Sequence, residues 1–543
     1  MDEANHPMHH VWTVLELVHC IFAYLQPEDL VSMACTARAF RLPALSHVWD
    51  EVDDDGISAL LQIATDSGEL MHVRWSRLEE YAGLIKRAIL NSLPKRAREK
   101  LNRVLAMRPR RHQPMLPQLQ SLHSHPTEPT DLLCTLHFMH EKLERFHLYL
   151  PMPADLFENP SGTEWHEPIQ AALFRIETEL PNLKHLKLIP PSTDLGLISK
   201  SFFSNFTQLA TYIGNYDALT VDGILGLAQL STLRVLDFTI SLDTSLRSSF
   251  VDIRNDLDVP GFSTLEDLQL VQNIDVTLGI LEIIQGPLRN LHCTIPQRMS
   301  TEDLQQLVKA IASFHATLTS LDISLFDVIP VDTDSGKWQD LVELLRCQKL
   351  TYLGVVYDMP GRLFEFTDAD LFTIASKLPD LRELWICWTP RPEVKADEED
   401  MGGGLLDESA VTLWGLAQML QQHPMLDRIH LTSINTSDIH RAASTIEKVT
   451  RNVTISAQSM LVSSPSTVAL FLDGWLPHCH LRLMEPGDND DWDVQTSDNS
   501  RQVTLIMALV ELLRCHAHLA TSSIDFRDLK IPEAAMNLGT LLE

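Results

Sequence analysis

At 543 residues, 45% of them hydrophobic, the chain can bury large cores and is too long for one ordinary compact domain unless it is a repeat array. Asp and Glu total 73 against 43 Lys and Arg, a formal net charge of -30, which argues against a general nucleic-acid or anionic-membrane binder because both need positive potential. The eight cysteines are scattered without a CxxC pair and read as reduced core residues. MDEANHPMHH lacks the basic start and apolar run of a signal peptide, and no stretch approaches the roughly 18 apolar residues that span a bilayer, so the expected compartment is cytoplasmic or nuclear.

Thr13 to Trp49 predicts three short helices. Thr13 and Glu16 form a capping-box pair, so the first helix starts near Val14. Val14, Leu17, Val18, Ile21 and Leu25 follow helical spacing while Leu15 and Phe22 project elsewhere, leaving one apolar face over. Pro27 suits a first helical position, with Glu28 and Asp29 favoured by the helix dipole. This second helix runs to about Phe40, Pro43 closes it, and a third carries Leu45, Val48 and Trp49 back.

The stretch resembles the F-box family in its fungal variant. The match rests on Glu16-Leu17, Ile21-Phe22, Tyr24-Leu25-x-Pro27-x-Asp29-Leu30, Cys35, Arg38-Ala39-Phe40, Pro43-Ala44-Leu45 and Trp49. The resemblance implies an F-box domain over residues 10–52 that binds a Skp-family adaptor and through it a cullin. Val14, Leu17, Ile21, Leu25, Pro27, Leu30 and Trp49 would form or support the adaptor surface. The family usually opens with Leu-Pro where this chain has Thr13-Val14. A small helical cap on the rest of the chain is the other reading.

Residues 53–114 read as a helical connector, with Ile57, Leu60, Leu61 and Ala64, then Trp75, Leu78, Tyr81, Leu84, Ile85 and Ile89, on one face. Trp75-Ser76-Arg77-Leu78 and Tyr81-Ala82 resemble the segment after the F-box in many fungal proteins. The basic run from Lys95 to Arg111 reads as a solvated helix face flanking Leu101 and Leu105, with a nuclear-targeting or nucleic-acid role and attraction to the acidic remainder as the other readings. No aromatic residues interleave there for base stacking.

Over residues 115–543 one phrase returns, LxxLxL, starting at Leu119, Leu143, Leu183, Leu233, Leu265, Leu288, Leu318, Leu350, Leu381 and Leu426, with a weak copy at Leu209. Helical segments precede several copies: Ile169 to Glu179, Leu304 to Phe314, Trp338 to Leu345, Asp370 to Lys377 and Val411 to Gln421. The fold class is therefore α/β, an irregular leucine-rich-repeat solenoid. Its long units resemble the ribonuclease-inhibitor-like repeats of many F-box proteins. Past Leu431 the phrase fades; Val453 to Ile455, Val468 to Leu472 and Leu481 to Leu483 read as strands and Val503 to Leu513 as a helix, in an atypical capping region. Acidic loops at 393–400 and 487–493 read as solvated insertions.

His478-Cys479-His480 with Cys515, His516 and His518 lacks the paired spacing of a zinc site, and Gly402 to Gly404 lacks the Lys-Ser/Thr of a phosphate loop. No metal, cofactor or catalytic site is expected. By resemblance the chain is the substrate-recognition subunit of a ubiquitin ligase, binding an unknown protein substrate, with no nucleic-acid or membrane partner. A repeat scaffold that directs no ubiquitin transfer is the alternative. The outward strand residues expected at the substrate are Lys184, His185 and Lys187, and Glu383, Trp385 and Trp388, with the tryptophans as binding anchors or as core.

Overall fold

The computed structural model describes residues 14–65, 71–107, 113–150, 163–189, 198–215, 219, 221–239, 261–296, 299–326, 335–358, 363–388, 411–436, 448–461, 465–483, 506–507 and 509–510. Thr13, both acidic loops, Gly402 to Gly404, Cys515, His516, His518 and most of the segment from Val503 to Leu513 lie outside these residues. The chain divides into two compact units, residues 1–243 with 251–265, and residues 244–250 with 266–543.

The first unit opens with α1 (Leu15–Phe22), α2 (Pro27–Thr36) and α3 (Arg38–Val48). Pro27 is the first residue of α2, with Glu28 and Asp29 in its first turn, as the dipole favours. Pro43 does not close the second helix. That helix already stops at Thr36, because Ala37 turns extended at φ -147° and ψ 144°, and Pro43 sits buried inside α3. Only the bond its missing N–H would make to Ala39 is forgone there.

Val18, Phe22, Leu30 and Ala44 form the small core of this helical unit, with Ile21, Leu25, Met33, Ala34, Phe40 and Val48 packed around them. Phe22, expected to project away, is fully buried and meets Phe40 edge-on at 6.0 Å. The outward position falls to Leu17 instead. Cys20 and Cys35 are exposed, contrary to the expectation of core thiols, while Cys134, Cys293, Cys347, Cys387 and Cys479 are buried.

A parallel ladder begins immediately afterwards, with its first strand at the end of the segment expected to be the F-box and its second inside the segment expected to be a helical connector. It runs β1 (Glu51–Val52), α4 (Asp54–Thr65), α5 (Met71–Ala82), β2 (Arg87–Leu90), α6 (Lys95–Met107), β3 (Ser121–Ser124), α7 (Pro129–Leu136) and β4 (Arg145–Tyr149). Then follow α8 (Thr163–Glu179), β5 (His185–Ile189), α9 (Lys200–Phe203), β6 (Thr211–Asn215), α10 (Val221–Ala228) and β7 (Val235–Thr239). Ile89 was read as a helical residue, yet Ile85-x-x-Ala88-x-Leu90 is the repeat phrase in disguise, with all three apolar residues buried. Each strand pairs in parallel with the next in sequence. Sequential parallel order with helical crossovers is the topology of a repeat array and lacks the reversal of a doubly wound sheet.

The second unit repeats the scheme. It contains β8 (Asp267–Val271), α11 (Ile274–Ile283), β9 (Asn290–Ile295), α12 (Thr301–Ala312), β10 (Ser320–Phe326), β11 (Ser335–Lys337), a 3-10 helix (Trp338–Arg346), β12 (Tyr352–Asp358) and β13 (Leu363–Glu365). It continues with α13 (Asp368–Lys377), β14 (Glu383–Trp388), β15 (Val411–Thr412), α14 (Leu413–Gln422), β16 (Arg428–Asn435), β17 (Val453–Leu461), α15 (Pro465–Trp475) and β18 (Cys479–Leu483). The main sheet runs β8-β9-β10-β12-β14-β16-β17-β18, with β15 on β16, and β11 pairs with β13 apart from it. Val468 to Leu472, expected to be a strand, lies in α15. Parallel β17 and β18 are neighbours, so the chain between them must cross over, and Pro465 starts the crossover helix. The phrase persists here as Leu476-x-x-Cys479-x-Leu481, all buried.

The first leucine of every copy from Leu119 to Leu426, Leu209 included, has 0% exposure. Ahead of the strands, two consecutive backbone N–H groups share one carbonyl of the preceding repeat. Glu144 and Arg145 donate to Gln120, Lys184 and His185 to Glu144, and Ala210 and Thr211 to Lys184. The second unit does the same: Thr319 and Ser320 donate to Arg289, Thr351 and Tyr352 to Thr319, and Arg382 and Glu383 to Thr351. This chain of shared carbonyls locks the register of successive strands, because a one-residue slip would turn every leucine outward.

Candidate functional site

Two kinds of surface carry the candidate residues. On the three-helix unit, Val14, Leu15 and Leu17 are 42%, 55% and 45% exposed, and Pro27 is exposed at the start of α2. Ile21 and Leu25 are half-buried against the small core, and Leu30 belongs to that core. Trp49 lies half-buried beside Tyr81, their ring centroids 5.2 Å apart. Of the seven residues expected at an adaptor, Val14, Leu17 and Pro27 therefore face solvent, Ile21, Leu25 and Leu30 belong to the small core or pack on it, and Trp49 lies apart from that core beside Tyr81.

The second surface is the solvent side of the strands. Parallel register in the first unit puts Ile89, His123, His147 and Lys187 in one row and Arg87, Ser121, Arg145 and His185 in the next. His123 stacks on His147 at 4.2 Å, His125 on Tyr149 at 4.1 Å, and the Lys187 ammonium lies 4.9 Å from the Tyr149 ring centroid. Burial, then the neighbouring His123 and Lys187, push His147 down to about 4. Burial likewise lowers His123, His125 and His185, so these imidazoles are neutral at neutral pH. Lys184 is committed to Glu144 at 2.8 Å, which leaves Lys187 the more available of the two expected lysines.

In the second unit, His292, Asp322, Gly354, Trp385 and His430 form a comparable row. His292 Nδ1 and Asp322 Oδ2 are 2.9 Å apart, and Trp385 stacks on His430 at 4.2 Å. Gly354 allows its neighbours to approach closely, since a Cβ there would stand 2.6 Å from Asp322 Oδ1 and 2.8 Å from the Tyr352 hydroxyl. Trp388 is no surface anchor. It is 8% exposed, near Phe366, with its backbone N–H donating to Thr432 Oγ1 at 2.5 Å.

No family model matches the chain. No curated protein matches it either. Among solved structures, a chain of the yeast Rad7 and Elc1 complex is similar at 13% identity and a TM-score of 0.33, over 82% of this chain and 92% of that one. A likeness that slight fixes neither family nor function.

The histidine rows are the feature that reading the sequence for leucines passed over. Their signal is the variable residue between the last two apolar positions of the phrase, which is His123, His147 and Lys187 in successive copies. Among the described residues, no group of three or more His, Cys, Asp or Glu is placed to hold a metal ion, and no helix is long and apolar enough to cross a membrane.

Proposed function

We propose that this chain is the substrate-recognition subunit of a Skp-cullin-F-box ubiquitin ligase, with the three-helix unit as its F-box and the repeat strands as its substrate surface. The observation that carries this reading is the division of α1. Val18 and Phe22 are spent on the small core, while Val14, Leu15 and Leu17 remain outside it. Apolar residues that a fold leaves unused suit docking to another protein. The role needs no catalytic group on this chain, because holding a substrate beside a charged ubiquitin carrier raises its effective concentration. Work in the cytoplasm or nucleus, with a cullin behind the adaptor, belongs to the same proposal.

Thr13-Val14, standing where the family opens with Leu-Pro, favours the second reading, a repeat scaffold without an adaptor. A pull-down of the full chain with a purified Skp-family adaptor separates the two. The control is a Leu15→Asp, Leu17→Asp variant, whose changes sit at exposed positions and whose fold is verified by circular dichroism. Capture of wild type and its loss in the variant supports the ligase reading. Absence of capture by folded wild type leaves the scaffold.

A further inference from the structure

The solvent side of β3, β4 and β5 differs from the rest of this acidic chain. Its outward positions are His123, then Arg145, His147 and Tyr149, then His185, Lys187 and Ile189, with Ser121 of the Arg145 row buried. No Asp or Glu stands among them, in a protein of net charge -30. Arg145 is exposed and has no ion pair among the described residues, and Lys187 is held only against the face of Tyr149. Glu144, next to Arg145 in sequence, binds Lys184 at 2.8 Å, and Glu51, at the far end of the Arg145 row, binds Arg87 at 2.8 Å; the carboxylate in the Lys187 row is Asp237, beyond Ile213.

Beside these cations His123 stacks on His147 at an interplanar angle of 26° and His125 on Tyr149 at 8°, so the rings stand on edge from the sheet, face to face across β3 and β4. Neutral imidazoles offer N–H donors without adding repulsion. Arg145 and Lys187 stand on adjacent strands in neighbouring rows, two residues apart in register, a diagonal of about 8 Å from strand spacing and rise. Alternate side chains of an extended peptide are about 7 Å apart and can meet both cations at once.

We infer that this face of the first unit is a docking site for an extended acidic segment of a partner protein, two alternate carboxylates meeting Arg145 and Lys187 over the His123, His147 and Tyr149 rings. Charge complementarity selects the occupant, because a neutral or basic peptide gains nothing from these cations and a chain this acidic repels polyanions elsewhere. The inference rests on the recognition role proposed above and names the substrate class. It is measured without adaptor, so failure here and failure of adaptor capture are separate results.

The test is fluorescence anisotropy of a labelled decapeptide of alternating glutamate and serine, titrated with the full chain at low ionic strength. A glutamine-serine twin and an oligothymidylate of similar length serve as comparators. The expected result is binding of the glutamate peptide alone, weakened about tenfold by Arg145→Gln with Lys187→Gln and unchanged by Lys95→Gln with Arg103→Gln on α6. Equal binding of the twin peptide, tighter binding of the oligonucleotide, or loss of binding in the α6 variant with none in the strand variant would each overturn the proposal.

Discussion

The Arg98 guanidinium reaches the buried Asp131 carboxylate at 2.9 Å, and the same nitrogen also donates to Glu128 at 2.7 Å. Asp131 is 4% exposed and additionally accepts hydroxyl bonds from Ser92 and Thr127. Within the basic run, then, Arg98 is a clamp between α6 and α7 rather than part of a solvated face. Removing it leaves a buried carboxylate with hydroxyl partners only, which costs about 1–3 kcal/mol. Arg98→Met should lower the urea midpoint of the first unit, while Lys95→Met, at an exposed position, should not. Equal midpoints for Arg98→Met and wild type would show the clamp to be idle.

Leu17 and Leu30 make opposite predictions. Leu30, 4% exposed in the three-helix core, loses about 2–5 kcal/mol as Leu30→Ala, and limited proteolysis should then cut within 14–50. Leu17→Ala, at a 45% exposed site, should leave that protection intact and act only on partner binding.

Asp368 ties β15 to α13. It accepts the Thr412 backbone N–H at 2.8 Å and the Thr412 hydroxyl at 2.6 Å, and that hydroxyl in turn accepts the Gly415 N–H at 2.9 Å. A methyl on Gly415 would overlap the Asp368 carboxylate. Gly415→Ala should therefore destabilise the second unit by about 1–3 kcal/mol. Asp368→Ala placed on top of it should cost less than the sum of the two single changes. Strict additivity in denaturant titrations would rule out the steric cause.

His147 gives a pH dependence with a definite sign. Its folded value lies near 4, held there by burial and by His123, Lys187, His185 and Arg145, whereas an unfolded histidine titrates near ~6.5. Between those values the unfolded chain binds more protons, so stability is full above about 6.5 and falls as pH drops toward about 4. His147→Gln should flatten that decline in unfolding midpoint. A slope unchanged from wild type would assign the decline to other groups.

Arg451 donates to the carbonyls of Leu420 at 2.9 Å and of Leu426 at 3.0 Å, and also to that of His423. It thereby closes the open carbonyl end of α14, whose C-cap is His423. Burial lowers its pKa, yet it stays charged at any ordinary pH. Arg451→Met should speed amide exchange at the end of α14 without affecting the first unit. Unchanged exchange there would count against the cap.

What the sequence settled by itself is the repeat. Leucines at phrase spacing could only be buried as a ladder, and each opening leucine from Leu119 to Leu426 is at 0% exposure. The period-two pattern even held the answer for Trp388, which shares a face with Leu384 and Ile386, whereas Trp385 points the other way. Disguised copies at Ile85 and Leu476 were passed over because Ala88 and Cys479 replace leucine. Tertiary structure alone decided which variable residues meet. His123, His147 and Lys187 lie in different repeats, and no local pattern encodes the register that stacks them. The same holds for Phe22 and Leu17. The α1 spacing puts Leu17 on the apolar stripe and Phe22 off it, and only the packing of α2 and α3 takes Phe22 into the core and leaves Leu17 exposed, because burial is a property of neighbours and not of period.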